Sequence, residues 1–575
     1  MNKLDQNTVQ SLFALYRNGE FAALAERTQV LLKSYPRELV LHSLRGAACH
    51  ELREYDAAVA SYRAALAIRP DFDKIHNSLG VVYLRTARFE EAIASFRNAL
   101  ESNPEFAPAW FNAGIAFEHL KQWRNAADCF QRAVAVDPRY VEALTSLGTA
   151  LWDLGEYENV AGTLEQALAI REDHVPAWRG LLNFLEQANR QDELLSALER
   201  ARNVLGNHRL VLLYEGILAE IEGDDACARE ILESFRFHAA DTTAMHNERQ
   251  RQARLVGICD RLDDTAAALR YAETSNRLSR ELDERRGITK DAYLNYIAHR
   301  RDYFTRDNVA RWPAAPPSEG PPPVFIVSFP RSGTMLLDTI LRGHPGIAVA
   351  EESNALPGLI DSLADRYGDH LIRLPDLTDG ELRELRKHYF ETLRHRLSPV
   401  EPDTRLIDCF ALNIIYAGEA LRLFPDAKIV LVLRHPADCV LSCYMQTFYE
   451  GPASANFYTL EEAAALYDHV FGLWEQYVDV LGPDMLSVKY EDIVAGMESA
   501  CRPVLDFIGV PWHPDVLEYR RTARGRPVIR TTSYNQVTRP LHAGADGRWR
   551  RYRDAMQPVL PVLEPWIKKF GYSAD

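Results

Sequence analysis

The first third of the chain repeats with a period of 34 residues, and no other feature limits the possible folds as strongly. Glycines, prolines, large apolar residues and alanines each return at that spacing. The repeating positions are Gly46, Gly80, Gly114 and Gly148; Pro36, Pro70, Pro104 and Pro138; Tyr62, Phe96, Phe130 and Leu164; and Ala65, Ala99, Ala133 and Ala167. This pattern predicts stacked pairs of antiparallel helices that cross closely at the small residues and end at each proline.

The spacing resembles that of tetratricopeptide repeats. The repeats weaken after about residue 170, where Trp178 keeps the register of Trp110 but Leu182 and Glu172 stand at the Gly and Pro positions. We therefore expect a solenoid over residues 1–236 and a helical extension over residues 237–311. Such solenoids usually bind a protein or peptide on their concave face, although they can also brace a neighbouring domain or mediate dimerisation.

A proline-rich segment follows and predicts a domain boundary. Residues 312–323 contain six Pro in twelve positions, which excludes both helix and central strand and favours a semi-rigid spacer. From Val324 onward strand and helix patterns alternate, as is typical of a parallel α/β sheet. Strands are predicted at Val324–Val327, Arg405–Cys409, Ile429–Leu433 and Leu486–Tyr490. The predicted fold class is thus a helical solenoid followed by a P-loop-type α/β domain over residues 324–575.

The segment beginning at Val324 indicates an anion-binding site. An apolar, β-branched strand is followed by the turn Pro330-Arg331-Ser332-Gly333 and by helical spacing from Thr334 onward. The free N–H groups and the dipole of the helix N-terminus converge there, and Arg331 adds a planar fork of donors. The Lys of the nucleoside-triphosphate P-loop is absent, which disfavours a kinase.

A second strand pattern ends at Arg434, and Ser442 lies eight residues later in the next predicted helix. Arg331 and Arg434 would both stand at carboxyl ends of parallel strands, where ligands bind in open α/β sheets. These two motifs, in this order, resemble the donor-binding signatures of sulfotransferases. That resemblance implies the co-substrate 3′-phosphoadenosine 5′-phosphosulfate (PAPS) and transfer of a sulfuryl group to a hydroxyl or phenol.

The resemblance extends to the tyrosylprotein sulfotransferases over nearly all of residues 324–572. It implies that the donor is held by Arg331, Ser332, Gly333, Thr334, Met335, Arg434, Ser442, Tyr490, Ser533 and Arg548. Glu352, in the pair Glu351-Glu352 that follows His344-Pro345, is implied to be the catalytic base. Arg331 and Ser533 are implied to stabilise the transition state, and no metal is implied.

One position departs from the family pattern. A family Lys beside the bridging oxygen of the donor is replaced here by Cys409, in Asp408-Cys409-Phe410-Ala411. A thiol supplies no cation, so Arg405 or Arg548 would have to fill that role. The alternative is a catalytically weak or inactive scaffold whose repeats bind protein partners.

Composition excludes several other classes of function. The formal charge of -15 argues against general nucleic-acid binding, whereas ten Arg and one acid between Arg520 and Arg553 suit a small polyanion. The eight Cys show no zinc spacing and indicate a reducing compartment. The sequence has neither a signal-peptide pattern nor an apolar run of membrane-spanning length, which predicts a cytoplasmic protein.

Overall fold

The computed structural model describes residues 4–238, 241–318, 320–397, 400–401, 403–524 and 547–573. The chain divides into two compact units, Met1–Tyr214 and Glu215–Asp575. The first is a helical solenoid, and the second combines helices with a parallel sheet. The predicted fold class is confirmed.

The solenoid consists of consecutive antiparallel helices, as the 34-residue period predicts. Its helices are Gln6–Arg17, Phe21–Ser34, Leu39–Glu51, Tyr55–Ile68, Asp73–Arg85, Phe89–Ser102, Ala107–His119, Trp123–Val136, Val141–Leu154, Tyr157–Ile170, Val175–Gln187, Gln191–Leu205 and Arg209–Glu222, the last of which crosses into the second unit. A Cβ placed on Gly46 would lie 2.5 Å from the ring of Tyr62, and one on Gly114 would lie 2.4 Å from the ring of Phe130. The repeated glycines are therefore required by the close crossing of paired helices.

A hydrogen bond to the chain between repeats also recurs. The indole N–H of Trp110 donates to the carbonyl oxygen of Pro104 at 2.9 Å. The indole of Trp178 makes the same contact with the carbonyl oxygen of Glu172 at 2.7 Å. Because the partner is a backbone oxygen, the contact survives the loss of the proline, and regular helices continue beyond residue 170.

A parallel sheet forms the centre of the second unit. Its strands are β1 Val324–Ser328, β2 Ile347–Glu351, β3 Arg405–Cys409, β4 Lys428–Leu433 and β5 Asp484–Lys489. Within the described residues the strand order is β2-β3-β1-β4-β5, and every neighbouring pair is parallel. The chain passes from β1 to β2 at one end of this order and from β4 to β5 at the other end. The topological switch point therefore lies between β1 and β4.

The edge strand β2 was not predicted. Ile347–Glu351 is short and contains two alanines, which weakens the strand signal, and among the described residues it pairs with β3 alone. Glu351 consequently ends a strand. Glu352 is the first residue after β2.

Helices cover both faces of the sheet. Those of the second unit are Asp225–Glu233, Thr242–Arg261, Thr265–Arg285, Lys290–Tyr303, Arg306–Val309, Thr334–Leu341, Ala355–Tyr367, His370–Arg373, Asp379–Leu397, Ala417–Leu423, Pro436–Tyr444, Leu460–Leu481, Tyr490–Ala495, Met497–Ile508, Tyr519–Arg524, Arg553–Met556 and Leu560–Lys569, with 3₁₀ turns at Leu374–Asp376, Ala411–Tyr416, Ser454–Asn456, Pro514–Glu518 and Arg548–Tyr552. Phe325 and Val327 of β1 point into one apolar core, and Val324 and Ile326 point into the other. Successive residues of β1 therefore face opposite sides of a sheet that is buried on both faces.

The helices over residues 242–303, predicted as an extension, pack into the same core as the sheet. Phe304, at their end, is fully buried, and its ring centroid lies 4.9 Å from that of Tyr477. Arg300 and Glu419 form a fully buried ion pair with 2.6 Å between Nη2 and Oε1. These helices therefore belong to the second compact unit, while the domain limits at residues 236, 311 and 323 stay predictions.

The proline-rich segment runs along the second unit. Arg386 donates to the carbonyl oxygens of Pro316 and Pro317 at 2.7 and 3.1 Å. Arg422 donates to the carbonyl oxygen of Pro313 at 3.2 Å. Two buried guanidinium groups thus hold the extended segment in place. In the described part of the chain, no helix has the length and apolar character needed to cross a membrane.

Candidate functional site

The turn after β1 is the centre of the candidate site. Arg331 and Gly333 adopt positive φ angles of 71° and 99°, and the helix Thr334–Leu341 begins immediately afterwards. Gly333 is needed here because a Cβ would lie 2.5 Å from Cδ2 of Tyr490, the first residue after β5. The turn therefore brings the backbone unusually close to a side chain that follows another strand.

Arg434 meets this turn from the carboxyl end of β4. It donates from Nη1 to the carbonyl oxygen of Arg331 at 3.2 Å. Its guanidinium carbon lies 4.8 Å from the ring centroid of Tyr490, within range of a cation–π contact. Residues that follow β1, β4 and β5 thus converge at the switch point of the sheet, the position where α/β proteins bind ligands.

The helix Pro436–Tyr444 supports the turn along one face. Ser442 accepts a hydrogen bond from Nε of Arg331 at 3.0 Å. The thiol of Cys439 lies 3.4 Å from Oγ of Ser332, and the thiol of Cys443 lies 3.5 Å from the carbonyl oxygen of Pro330. The three helix positions are spaced by three and four residues and so share one side of the helix.

A C-terminal segment carries Arg548 to the same place. Asp438, which is buried, accepts hydrogen bonds from the N–H groups of Gly547 at 2.9 Å and Trp549 at 2.8 Å. The ring of His435 stacks on Trp549 with 5.3 Å between centroids. These contacts fix the backbone on both sides of Arg548, whose Nη2 lies 3.2 Å from Sδ of Met445.

The site is strongly cationic. Burial, together with the neighbouring positive charges of Arg434 and Arg548, lowers the pKa of Arg331 to about 10. Crowding of guanidinium groups is unfavourable unless anions offset it. The residues present therefore fit a ligand with several negative charges, such as a nucleotide carrying two phosphate groups.

Two acidic residues, Asp438 and Glu491, hold the segments around the turn in position, and neither was predicted from the sequence. Glu491 accepts hydrogen bonds from the N–H of His435 at 2.9 Å and from the hydroxyl of Tyr572 at 2.8 Å. Asp438 and Glu491 lie within the motifs His-Pro-Ala-Asp and Tyr-Glu-Asp, but their partners are distant in the chain. Only the folded structure shows what they bind.

Seven of the predicted site residues come together around the turn: Arg331, Ser332, Gly333, Arg434, Ser442, Tyr490 and Arg548. Thr334 and Met335 begin the adjoining helix. Ser533 lies outside the described residues. The predicted base Glu352 is exposed at the same edge of the sheet, where its N–H donates to the carbonyl oxygen of Cys409 at 2.9 Å. Since β3 separates β2 from β1, Glu352 lies about 10 Å along the edge from the turn, at about 4.8 Å per strand.

The two arginines predicted as replacements for the family Lys, Arg405 and Arg548, lie at different distances from the turn. Arg405 begins β3 and Cys409 ends it, so about 13 Å of strand separates them at about 3.3 Å per residue. Arg405 therefore lies toward the amino-terminal edge of the sheet, away from the turn. The prediction that Arg405 could replace the family Lys is wrong. Arg548 lies beside Arg331 and stays a candidate.

Comparison with known proteins identifies both parts of the chain. The model of the "Sulfotransferase family" matches residues 322–514, and models of the tetratricopeptide repeat match residues 46–86, 77–127 and 120–175. The C-terminal part is a sulfotransferase-family domain. It follows a region of tetratricopeptide repeats, as the sequence predicted.

Several known proteins are similar to parts of this chain. Protein-tyrosine sulfotransferase 1 of Danio rerio is 26% identical over 270 residues, which are 44% of this chain and 72% of that protein. An uncharacterized protein of Aquifex aeolicus is 27% identical over 254 residues, which are 43% of this chain but only 33% of that protein. Among solved structures, the tetratricopeptide-repeat protein YrrB covers 33% of this chain and 97% of its own length, with 20% identity and a TM-score of 0.29.

Proposed function

We propose that this protein transfers the sulfuryl group of PAPS to a hydroxyl or phenol of an acceptor. The observation that carries this proposal is the meeting of Arg331 and Arg434 at the switch point of the sheet, beside Gly333 and Arg548. A turn with an open backbone and a cluster of arginines suits the two charged ends of a sulfonucleotide. The family of the domain supports the same reaction class.

Each residue has a defined role in this proposal. Arg331 and the backbone of Ser332–Met335 hold the 5′-phosphosulfate, and Arg434 and Ser442 hold the 3′-phosphate. Tyr490 packs over the turn, and Arg548 adds positive charge to the donor site. Ser442 is hydrogen-bonded to Arg331, so a phosphate there would contact a serine that already orients the guanidinium.

The reaction moves one group and one proton. The acceptor oxygen bonds to sulfur while the bond from sulfur to the phosphate oxygen breaks, leaving 3′-phosphoadenosine 5′-phosphate. Glu352 takes the acceptor's proton. Its place about 10 Å along the sheet edge from the turn, by strand spacing, leaves room for the acceptor hydroxyl between base and donor. The positive φ of Glu352 (44°) holds this residue in a tight bend directly after β2.

The repeats would recruit a protein partner or acceptor. A second candidate function is a scaffold with the sulfotransferase fold and little activity, and the replacement of the family Lys by Cys409 favours it. The thiol is buried, and burial raises its pKa, so it stays neutral and cannot supply the charge of the family Lys. Donor binding does not separate the two candidates, but transfer does.

The first experiment measures nucleotide binding by calorimetry. We expect 3′-phosphoadenosine 5′-phosphate to bind and ATP to bind much more weakly. Arg434→Ala should weaken binding about 10- to 100-fold, since charge-assisted hydrogen bonds contribute about 1.5–3 kcal/mol each. Arg306→Ala is the matched control because Arg306 pairs with Asp479 on the surface. Equal affinity of the Arg434→Ala and Arg306→Ala proteins would contradict the proposed site.

The second experiment measures transfer of labelled sulfate from PAPS to a panel of protein, glycan and small hydroxyl acceptors. Glu352→Gln should lower turnover by about 10²- to 10⁴-fold and leave nucleotide affinity unchanged, because the amide cannot take the proton. Glu351→Gln, one residue earlier, is the control and should retain activity. If only Glu351→Gln is damaging, the base is misassigned; if wild type transfers to no acceptor, the scaffold is favoured.

A further inference from the structure

An acidic side chain from the preceding helices reaches the donor site. Asp260, near the end of the helix Thr242–Arg261, lies with Oδ2 3.1 Å from Nε of Arg548. Its other oxygen lies 2.7 Å from Nη2 of Arg551 and accepts a hydrogen bond from the hydroxyl of Tyr552 at 2.7 Å. One carboxylate therefore contacts three residues of the 3₁₀ turn Arg548–Tyr552.

The geometry leaves Arg548 available to a ligand. Asp260 lies at the Nε edge of the guanidinium, while Nη2 points to Met445 at the end of the helix Pro436–Tyr444. The thioether is a weak acceptor that an anion would readily replace. Arg548 also lies close enough to Arg331 to lower its pKa, so the two cations repel each other. Without a counter-charge, Arg548 would swing away from Arg331.

We propose that Asp260 is a positioning residue that holds Arg548 at the donor site. The proposal rests on the proposed function, since it assigns to a residue outside residues 324–575 a part in binding the sulfonucleotide. The helix Thr242–Arg261 thereby completes the site of the sulfotransferase-family domain. The next residue, Arg261, pairs with Glu220 at 2.9 Å and Asp225 at 2.7 Å, so the same helix end is also anchored to the helices before it.

The test compares two neighbouring carboxylates. Asp260→Asn removes the charge that faces Arg548. Asp263→Asn removes a carboxylate whose Oδ1 lies 3.0 Å from Nη1 of Arg551 and which is 78% exposed. The measured quantity is the affinity for 3′-phosphoadenosine 5′-phosphate by calorimetry, with the full chain and with melting temperatures checked for each variant. We expect about tenfold weaker binding for Asp260→Asn, no change for Asp263→Asn, and recovery in Asp260→Glu.

A double-mutant cycle separates positioning from a general loss of structure. Arg548→Ala should weaken nucleotide binding, and adding Asp260→Asn to it should cause no further loss. If Asp260→Asn is equally damaging with and without Arg548, or if it binds the nucleotide as tightly as wild type, the inference is overturned. If wild type binds no 3′-phosphoadenosine 5′-phosphate, the proposed function fails and the inference fails with it.

Discussion

Replacing Gly333 with alanine should disable the donor site through one identifiable contact. Gly333 has a φ of 99°, and its added Cβ would lie 2.5 Å from Cδ2 of Tyr490. Ordinary carbon–carbon contacts are about 3.5–4.0 Å, so the ring has to move by about 1 Å or more. Arg434, the proposed ligand of the 3′-phosphate, packs on the same ring, so moving the ring also moves Arg434.

Gly368→Ala is a matched control for backbone strain. Gly368 has a φ of 74°, and no atom of the residues that the structure describes lies within 4 Å of where its Cβ would be. The left-handed conformation alone costs an alanine about 1–2 kcal/mol. For a unit of about 360 residues, an average unfolding entropy of about 2.1 cal/mol/K per residue converts this cost into a fall in Tm of about 1–3 °C.

The assay combines thermal unfolding with calorimetry of 3′-phosphoadenosine 5′-phosphate. Gly368→Ala should show the small fall in Tm and wild-type affinity. Gly333→Ala should show a larger fall in Tm and at least tenfold weaker binding, about 1.4 kcal/mol. Should the two variants match in both measurements, Tyr490 does not constrain the turn, and the close packing of turn, tyrosine and Arg434 has no part in binding.

Two further predictions concern a buried acid and the limits of the second unit. Burial raises the pKa of Asp408 from 3.8 to about 7, so the unfolded chain loses this proton at lower pH than the folded protein does. Stability conferred by the protonated carboxyl should therefore fall as pH rises from about 4 to 7. Urea unfolding should show this fall in wild type but not in Asp408→Asn. Parallel pH profiles of the two proteins would contradict the prediction. A chain that begins at Pro321 should be insoluble or melt much lower than one that begins at Asn207, because it lacks Phe304 and the other core residues contributed by the helices over residues 242–303. Equal melting temperatures would show that these helices do not stabilise the sheet.

The parts of the fold that depend on local pattern could be predicted from the sequence. The 34-residue period, the strand before Pro330 and the strand before Arg434 each carry their information within a few turns of chain. The edge strand β2 was not predicted because its five residues include two alanines and because, in the described part of the chain, it has a strand partner on one side alone. Tertiary contacts could not be predicted because their partners are far apart in the sequence. Asp438 binds Gly547, which is 109 residues away, and Asp260 contacts Arg548 from outside the predicted domain.

The surroundings of Cys409 determine what a lysine at this position would do. Its side chain is 4% exposed and packs in the apolar core with Ile326 and Leu336. Burial raises the pKa of the thiol, and the carboxylates of Asp338 and Glu351 raise it further. A lysine at this position would therefore have carboxylates beside it, in a part of the core that now holds a small neutral group.

Cys409→Lys should accordingly give no gain in the rate of sulfuryl transfer. The new ammonium would pair with Asp338 or Glu351, and Arg548 already places a cation beside Arg331. A preorganised donor at the breaking bond is typically worth about 2.7–4 kcal/mol, so a restored family Lys would instead raise the rate about 10²- to 10³-fold. Cys409→Met is the control, since it enlarges the side chain without adding charge. Single-turnover rates of wild type, Cys409→Lys, Cys409→Met and Arg548→Ala separate the cases. A hundredfold gain confined to Cys409→Lys would show that the catalytic cation is missing from the wild-type protein and that Arg548 serves binding alone.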